Sequence, residues 1–436
     1  MRAFARLSDA FFRYLLAPAA VALPVLLVGL FALEEGFLSD AHAGFLTKAY
    51  LAIDRGRLEM VGFYYPPLPL LLLLPYASVA APVVWGSLAL GAAFAWALIE
   101  ALSRRLYLVA AAVVLLLATP PVYRLASEDF SQAIGLLLLW LAWWFFERWT
   151  TEKITAYGFL SGLFYGAAIY TIPVALPMSL LAAAVAKPIR KLPLGPWGAA
   201  LLVLVFPVVV GIAIWAYLAW TFTDSTAFLY QIFHYPAPWY PTLLMLFYLV
   251  VFLLFNRGAL WHLAVVALTL PIAARLGFGY SVGFALAFAG LLPLVNLRRG
   301  TPLLAQVLIF LGLLVQLVYY LETTPRFPTP SQENLIERAI GKTLSSAPKE
   351  RILTDDRTTY RFIAWSETAK PYLLPADGGY EMALSNPGAF VDYVFACPGD
   401  SRLYRAIRRR PPQGFDPAWQ YRECLFFRKR GAPPLP

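Results

Sequence analysis

The sequence predicts an all-α polytopic membrane protein that carries a small C-terminal α/β domain. Three observations predict it. The 436 residues are 60% hydrophobic and 14% charged, against roughly 25% charged in soluble domains, so a bilayer is the natural solvent for so much apolar surface. Apolar runs of spanning length, almost free of charge, recur from residue 15 to residue 321. Beyond residue 321 the composition becomes mixed and polar. The formal net charge of +10 would suggest nucleic acid in a soluble protein. Here the placement of charge matters more than its sum, and no nucleic-acid partner is expected.

The elements follow in chain order. Arg2, Arg6 and Arg13 precede an apolar run from Leu15 to Leu33, with Glu34-Glu35 rather than a small-x-small cleavage site behind it. That pattern reads as an uncleaved first span. About 20 apolar residues cross a bilayer core, which gives about eleven transmembrane helices: 15–33, 82–102, 106–120, 131–148, 155–170, 172–186, 197–220, 240–255, 259–275, 279–296 and 302–321. The fifth and sixth are short and meet at Tyr170-Thr171-Ile172-Pro173, so they read as a tight hairpin or as one kinked helix.

Loop charge orients the chain. With the N-terminus in the cytoplasm, 13 Lys/Arg fall on the cytoplasmic side: Arg2, Arg6, Arg13, Arg104, Arg105, Arg148, Lys153, Lys187, Arg190, Lys191, Arg257, Arg298 and Arg299. Five fall in the short outer loops: Lys48, Arg55, Arg57, Arg124 and Arg275. The positive-inside bias favours this orientation, provided 155–186 is a hairpin. The expected location is the inner (plasma) membrane, with residues 1–321 as the membrane domain and 322–436 as an extracytoplasmic domain.

In the tail, "RILTDD", "YRFIAW", "VDYVFACP" and "CLFFRK" read as short strands. "SQENLIERAIGKTL" reads as a helix, with Ser331 as N-cap and Leu335, Ile336, Ala339 and Ile340 at helical spacing. Cys397 and Cys424 both lie here; they can pair in an oxidising compartment or remain two buried thiols.

The first outer loop, 34–66, holds Asp40, His42 and Lys48 and gives one side Tyr50, Leu51 and Ile53, which suits a helix at the membrane interface. "PPLPLLLLLPYASVAAP", broken by prolines, suits a half-inserted helix better than a span. Later outer loops hold Arg124, Glu128 and Asp129, then Asp224 and His234. Carboxylates, cations and histidines are thus expected to gather in one cavity above the bilayer.

Four features resemble the C superfamily of integral-membrane glycosyltransferases, above all the bacterial polyprenyl-phosphate-mannose type. An acidic residue, Asp40, follows the first span; a loop leads to Tyr65-Pro66-Pro67-Leu68; a second acidic spot, Glu128-Asp129, follows the third span; and a soluble domain closes the chain. Tyr50 and Gly56 extend the pattern. Many relatives carry a paired Asp-Glu or Asp-x-Asp in the first loop, where this chain has Asp40-Ala41-His42; metal use is therefore left open.

The resemblance implies transfer of a sugar from a polyprenyl-phosphate carrier to a glycan, lipid or protein acceptor. The acceptor hydroxyl must lose a proton as it attacks, and a partly desolvated carboxylate can take it. Asp40 is the candidate base, and one base opposite the leaving group implies inversion. Lys48, Arg124, His234 and Arg275 are candidates to hold the leaving phosphate. The other route is Mg or Mn bound by Asp40 with Glu128 or Asp129. Tyr65 and other interfacial aromatics can stack on sugar.

Each residue also has a plain reading. Asp40 after Ser39 can cap a helix; His42 can be structural; Glu128-Asp129 can cap the fourth span; the aromatics can form the usual interfacial belt; and Arg408-Arg409-Arg410 can be a solvated face. Two other functions compete. An O-antigen ligase or polymerase-like transferase relies on outer-loop arginines, which are scarce before the tail. A transporter needs ionisable groups near the midplane, where the spans have almost none. No glycine loop after a strand points to nucleotide sugars.

Overall fold

The computed structural model describes residues 11–57, 66–223, 260–297, 301–325 and 332–435. The predicted span at 240–255, the Ser331 cap, Tyr65 and His234 lie outside the described residues. The chain divides into two compact units. Met1–Ala32, Phe63–Pro69 and Pro82–Thr329 form the first; Leu33–Gly62, Leu70–Ala81 and Pro330–Pro436 form the second.

The first unit is helical. Its helices are α1 (Phe12–Glu34), then α4 (Ala81–Ser103), α5 (Tyr107–Ala118), α6 (Pro120–Glu128), α7 (Phe130–Glu152), α8 (Thr155–Ala168), α9 (Ala175–Arg190), α10 (Leu194–Thr223), α11 (Leu260–Arg275), α12 (Val282–Leu291) and α13 (Leu303–Thr323). The intervening α2 (Asp40–Arg55) and α3 (Pro67–Leu73) are discussed below. A helix stands at each predicted span that falls within the described residues. Five of them, α1, α4, α7, α10 and α13, are long and apolar enough to cross a bilayer alone; α5 with α6, bent by 70°, makes a sixth if the pair is one span. This is a multi-pass membrane protein.

Residues 155–186 form two helices rather than one, because Pro173 supplies no N–H to continue the first. Contacts show how they run. Arg190 at the end of α9 lies 4.7 Å over Trp149 at the end of α7, and Lys187 lies 5.4 Å over Trp197 at the start of α10. At the same end His262 of α11 hydrogen-bonds Thr150 of α7 at 3.0 Å. At the opposite end the Gln132 side chain of α7 accepts from the Ser281 N–H before α12 at 2.8 Å, and Arg124 donates to the Pro325 carbonyl at 3.0 Å. Arg148, Lys153, Lys187, Arg190 and Lys191 therefore belong to the end where α7 and α9 finish. Small residues let these helices approach, as in lipid-solvated bundles: a Cβ at Gly162 of α8 would overlap the Val203 carbonyl oxygen of α10.

The second unit is a mixed α/β fold. Its elements are α14 (Gln332–Ser345), β1 (Ile352–Leu353), α15 (Asp356–Ser366), β2 (Tyr372–Leu373), α16 (Tyr380–Ser385), α17 (Pro387–Phe390), β3 (Tyr393–Ala396), α18 (Arg402–Arg409), β4 (Phe415–Tyr421) and β5 (Cys424–Lys429). The strand order is β2-β1-β3-β5-β4. β1 is parallel to β2 and β3, while β3–β5 and β5–β4 are antiparallel. β3 is buried along its whole length, as a central strand covered on both faces should be.

The "YRFIAW" segment is helical, which corrects the strand reading. Asp355 caps the helix, its side chain accepting from the Arg357 N–H at 3.1 Å. Thr359, Phe362, Ile363 and Ser366 then recur at helical spacing among its buried residues. Ala396 pairs with Leu425, so the next residues outward, Cys397 and Cys424, are brought together and form a disulfide.

Candidate active site

α2 carries the residues singled out in the first outer loop, and local sequence explains why it forms. Ser39 is its N-cap, accepting from the His42 N–H at 3.2 Å. Asp40 is the first helical residue, where a negative charge suits the helix dipole. Gly56, at φ 65°, ends the helix in a left-handed turn that glycine adopts without strain. Because Ser39 does the capping, the Asp40 carboxylate is released from that task.

Asp40 is instead met by α15. Tyr360 Oη donates to Asp40 Oδ1 at 2.9 Å, and Arg361 Nη1 donates to the same oxygen at 3.0 Å. Oδ2 accepts no hydrogen bond among the described residues, and the side chain is 71% exposed. One oxygen is thus held and the other is open. Arg361 is itself fixed: Nε reaches Glu337 at 2.7 Å and Nη2 reaches Asn334 at 3.2 Å. Glu337 is nearly buried, so it shares the guanidinium charge with Asp40. Burial opposes the Arg361 charge, but Glu337 and Asp40 outweigh it and keep the group protonated. Burial and the bond to Asp40 push the Tyr360 phenol up to about 12, so it remains a donor at any physiological pH.

The rest of α2 anchors the loop within the second unit. Its apolar face, expected against the bilayer surface, packs on α15; His42, Leu46, Tyr50 and Leu51 are buried. His42 is 1% exposed, and burial pushes its pKa down to about 3, so it is neutral. Lys48 is committed to Asp356 at 2.5 Å. Thr47 donates to the Tyr360 carbonyl at 2.8 Å, and Asp54 accepts from Thr368 and from the Ala369 N–H at 2.7 and 2.6 Å. Arg55 forks onto Asp377, at 2.7 and 2.9 Å, and caps the Tyr372 carbonyl at 2.6 Å.

The remaining candidates belong to the first unit. Asp129 caps α7, its Oδ1 accepting from Ser131 and its Oδ2 from Gln132 at 2.8 Å. Glu128 pairs with Arg124. Arg275 is exposed at the end of α11 and has no ion-pair partner among the described residues. As a metal site the donor set is poor: both Asp129 oxygens are already engaged, and no three His, Cys, Asp or Glu side chains converge among the described residues. Sequence reasoning missed Tyr360, Arg361 and Glu337, since "YRFIAW" read as a strand hides the helical face that presents Tyr360 and Arg361 to Asp40.

Taken as a whole, the chain shares its fold with a solved structure over nearly its full length. ArnT from Cupriavidus metallidurans, in a structure bound to undecaprenyl phosphate, matches 95% of this chain and 98% of its own, with a TM-score of 0.62 at 12% identity. The oligosaccharyltransferase of Archaeoglobus fulgidus is also similar, at TM-score 0.44 and 11% identity over 88% of this chain and 69% of its own. The same organism's AglB, in complex with an inhibitory peptide and a dolichol-phosphate, scores 0.41 at 11% identity over 86% and 69%. Likeness at the latter two scores does not by itself establish a shared fold. No family model matches the chain, and no curated protein does.

Proposed function

We propose that the protein is a membrane glycosyltransferase that moves a hexose or pentose from a polyprenyl-phosphate carrier to an extracytoplasmic glycan, lipid or protein acceptor. The observation that carries this reading is the fold shared with ArnT over nearly the full length of both chains. Asp40 is the base: its Oδ1 is oriented by Tyr360 and Arg361, and its open Oδ2 accepts the proton of the attacking hydroxyl. The C1–O bond to the carrier phosphate breaks as the acceptor oxygen bonds to C1 from the opposite face, so the anomeric configuration inverts. Side-chain cations, rather than Mg or Mn, meet the charge of the leaving phosphate, because Asp129 and Glu128 are already engaged by Ser131, Gln132 and Arg124. Lys48 and Arg124 are committed to Asp356 and Glu128, whereas Arg275 has no ion-pair partner among the described residues.

The second unit is proposed to face an oxidising, extracytoplasmic compartment. The Cys397–Cys424 disulfide supports this. The cluster of Arg and Lys where α7 and α9 finish supports a cytoplasmic placement of that end, in the inner membrane.

The test is a donor screen in proteoliposomes with radiolabelled polyprenyl-phosphate sugars, wild type beside Asp40→Asn. Transfer from at least one donor, with inversion, insensitive to EDTA and lost in the variant, is expected. Equal transfer by both proteins removes Asp40 from the chemistry. Gradient-driven solute uptake without transfer from any donor replaces the enzyme with a transporter.

A further inference from the structure

α18 has two unlike faces. Leu403, Tyr404 and Ile407 are buried in the core of the second unit beside Val391 and Phe415. Arg402, Arg405, Arg408 and Arg409 are exposed, as is Arg410 just past the helix end. Arg402 lies 3.6 Å from Glu381 and Arg405 lies 3.3 Å from Asp400. Arg408, Arg409 and Arg410 have no ion-pair partner among the described residues. The C-terminal helix dipole favours cations here, and three arginines consecutive in the chain concentrate positive charge that an anion can offset.

The surroundings narrow the choice of anion. Arg410 lines a cavity of about 310 Å³ with Asn386, Pro387 and Gln413. Unpaired guanidinium groups on a domain tethered to a membrane match the phosphates of an anionic lipid surface. The protein is multi-pass, so covalent tethering keeps lipid phosphate at high effective concentration. We propose that Arg408, Arg409 and Arg410 bind the phosphates of anionic phospholipid headgroups.

The full-length protein is placed in nanodiscs of phosphatidylcholine, alone or with about one-third phosphatidylglycerol, and hydrogen exchange is followed over residues 402–413. Anionic lipid is expected to slow exchange there by on the order of tenfold. High salt and the triple Arg408→Gln, Arg409→Gln, Arg410→Gln variant should abolish that slowing, and the triple Lys variant should keep it. Unchanged exchange at β3 and β5 verifies that the variants are folded. Equal exchange in both lipids overturns the proposal, as does slowing retained by the Gln variant. Slowing by inorganic phosphate in pure phosphatidylcholine assigns the site to a free anion and also overturns it. None of these outcomes depends on glycosyl transfer.

Discussion

Arg361 Nη1 stands 3.0 Å from Asp40 Oδ1, and the same guanidinium holds Glu337 through Nε at 2.7 Å. The arginine orients the carboxylate through Oδ1, and Glu337 and Asn334 fix the arginine in turn.

This arrangement makes Arg361 and Tyr360 positioning residues for the proposed reaction, and their loss should be readable in kcat. Tyr360→Phe removes one donor to Oδ1 and should lower kcat several-fold with little change in donor KM. Arg361→Gln removes the orienting charge and strands Glu337, so kcat should fall on the order of tenfold to a hundredfold with little change in donor KM. Arg361→Lys should recover part of the rate without restoring the fork. A kcat unmoved by Arg361→Gln would detach this arginine from the base.

His42 gives a stability prediction with a definite sign. Burial pushes its pKa in the folded protein down to about 3, against about 6.5 in the unfolded chain. Between those values the unfolded state holds a proton that the folded state does not. Stability contributed by the neutral ring is therefore complete above pH 6.5 and is lost as pH falls towards 3, at up to about 1.4 kcal/mol per pH unit. Thermal unfolding in detergent from pH 7 to pH 4 should show a steeper decline for the wild type than for His42→Gln. Parallel slopes would mean that the ring is protonated or exposed in the folded protein.

How much of this was legible beforehand depends on the range of the interactions. α2 was legible from its apolar side, Tyr50, Leu51 and Ile53, although Ser39 rather than Asp40 proves to be its cap. β3 and β5 were legible from their unbroken apolar runs. The partners of Asp40 were not, because Tyr360 and Arg361 lie 320 and 321 residues away. Their segment is rich in aromatic and β-branched residues, which favours a strand by propensity, and the Asp355 cap with the burial of Phe362 and Ile363 overrides it. β2 has two residues, too few for any pattern, and β4 carries Pro417 beside a bulge on an edge strand, where proline is tolerated but looks like a break.

The disulfide joins the ends of neighbouring antiparallel strands across 27 residues of sequence. Closing a loop of that length restricts the unfolded chain by about 3.5 kcal/mol. Cys397→Ala with Cys424→Ala should lower the unfolding temperature of the second unit, followed by exchange at β3 and β5, and reductant should lower it comparably in the wild type only. A reductant-insensitive wild type would show the thiols unpaired.

The last prediction concerns the fork between Arg55 and Asp377, which ties the end of α2 to the turn after β2. Both side chains are about nine-tenths buried, and the bond to Asp377 holds the Arg55 pKa above its ordinary value despite burial. Asp377 also accepts from the Leu374 N–H at 2.9 Å, so the pair is surrounded by further polar bonds. Removing one partner leaves a buried charge without its counterion, which costs about 3–5 kcal/mol. Arg55→Ala and Asp377→Ala should each be destabilising on that scale, and the double variant less so than their sum. Thermal or denaturant unfolding of the four proteins gives the coupling directly. Additive losses would mean that Arg55 and Asp377 contribute through separate contacts, and α2 would then be held to the sheet by Lys48, Asp54 and apolar packing instead.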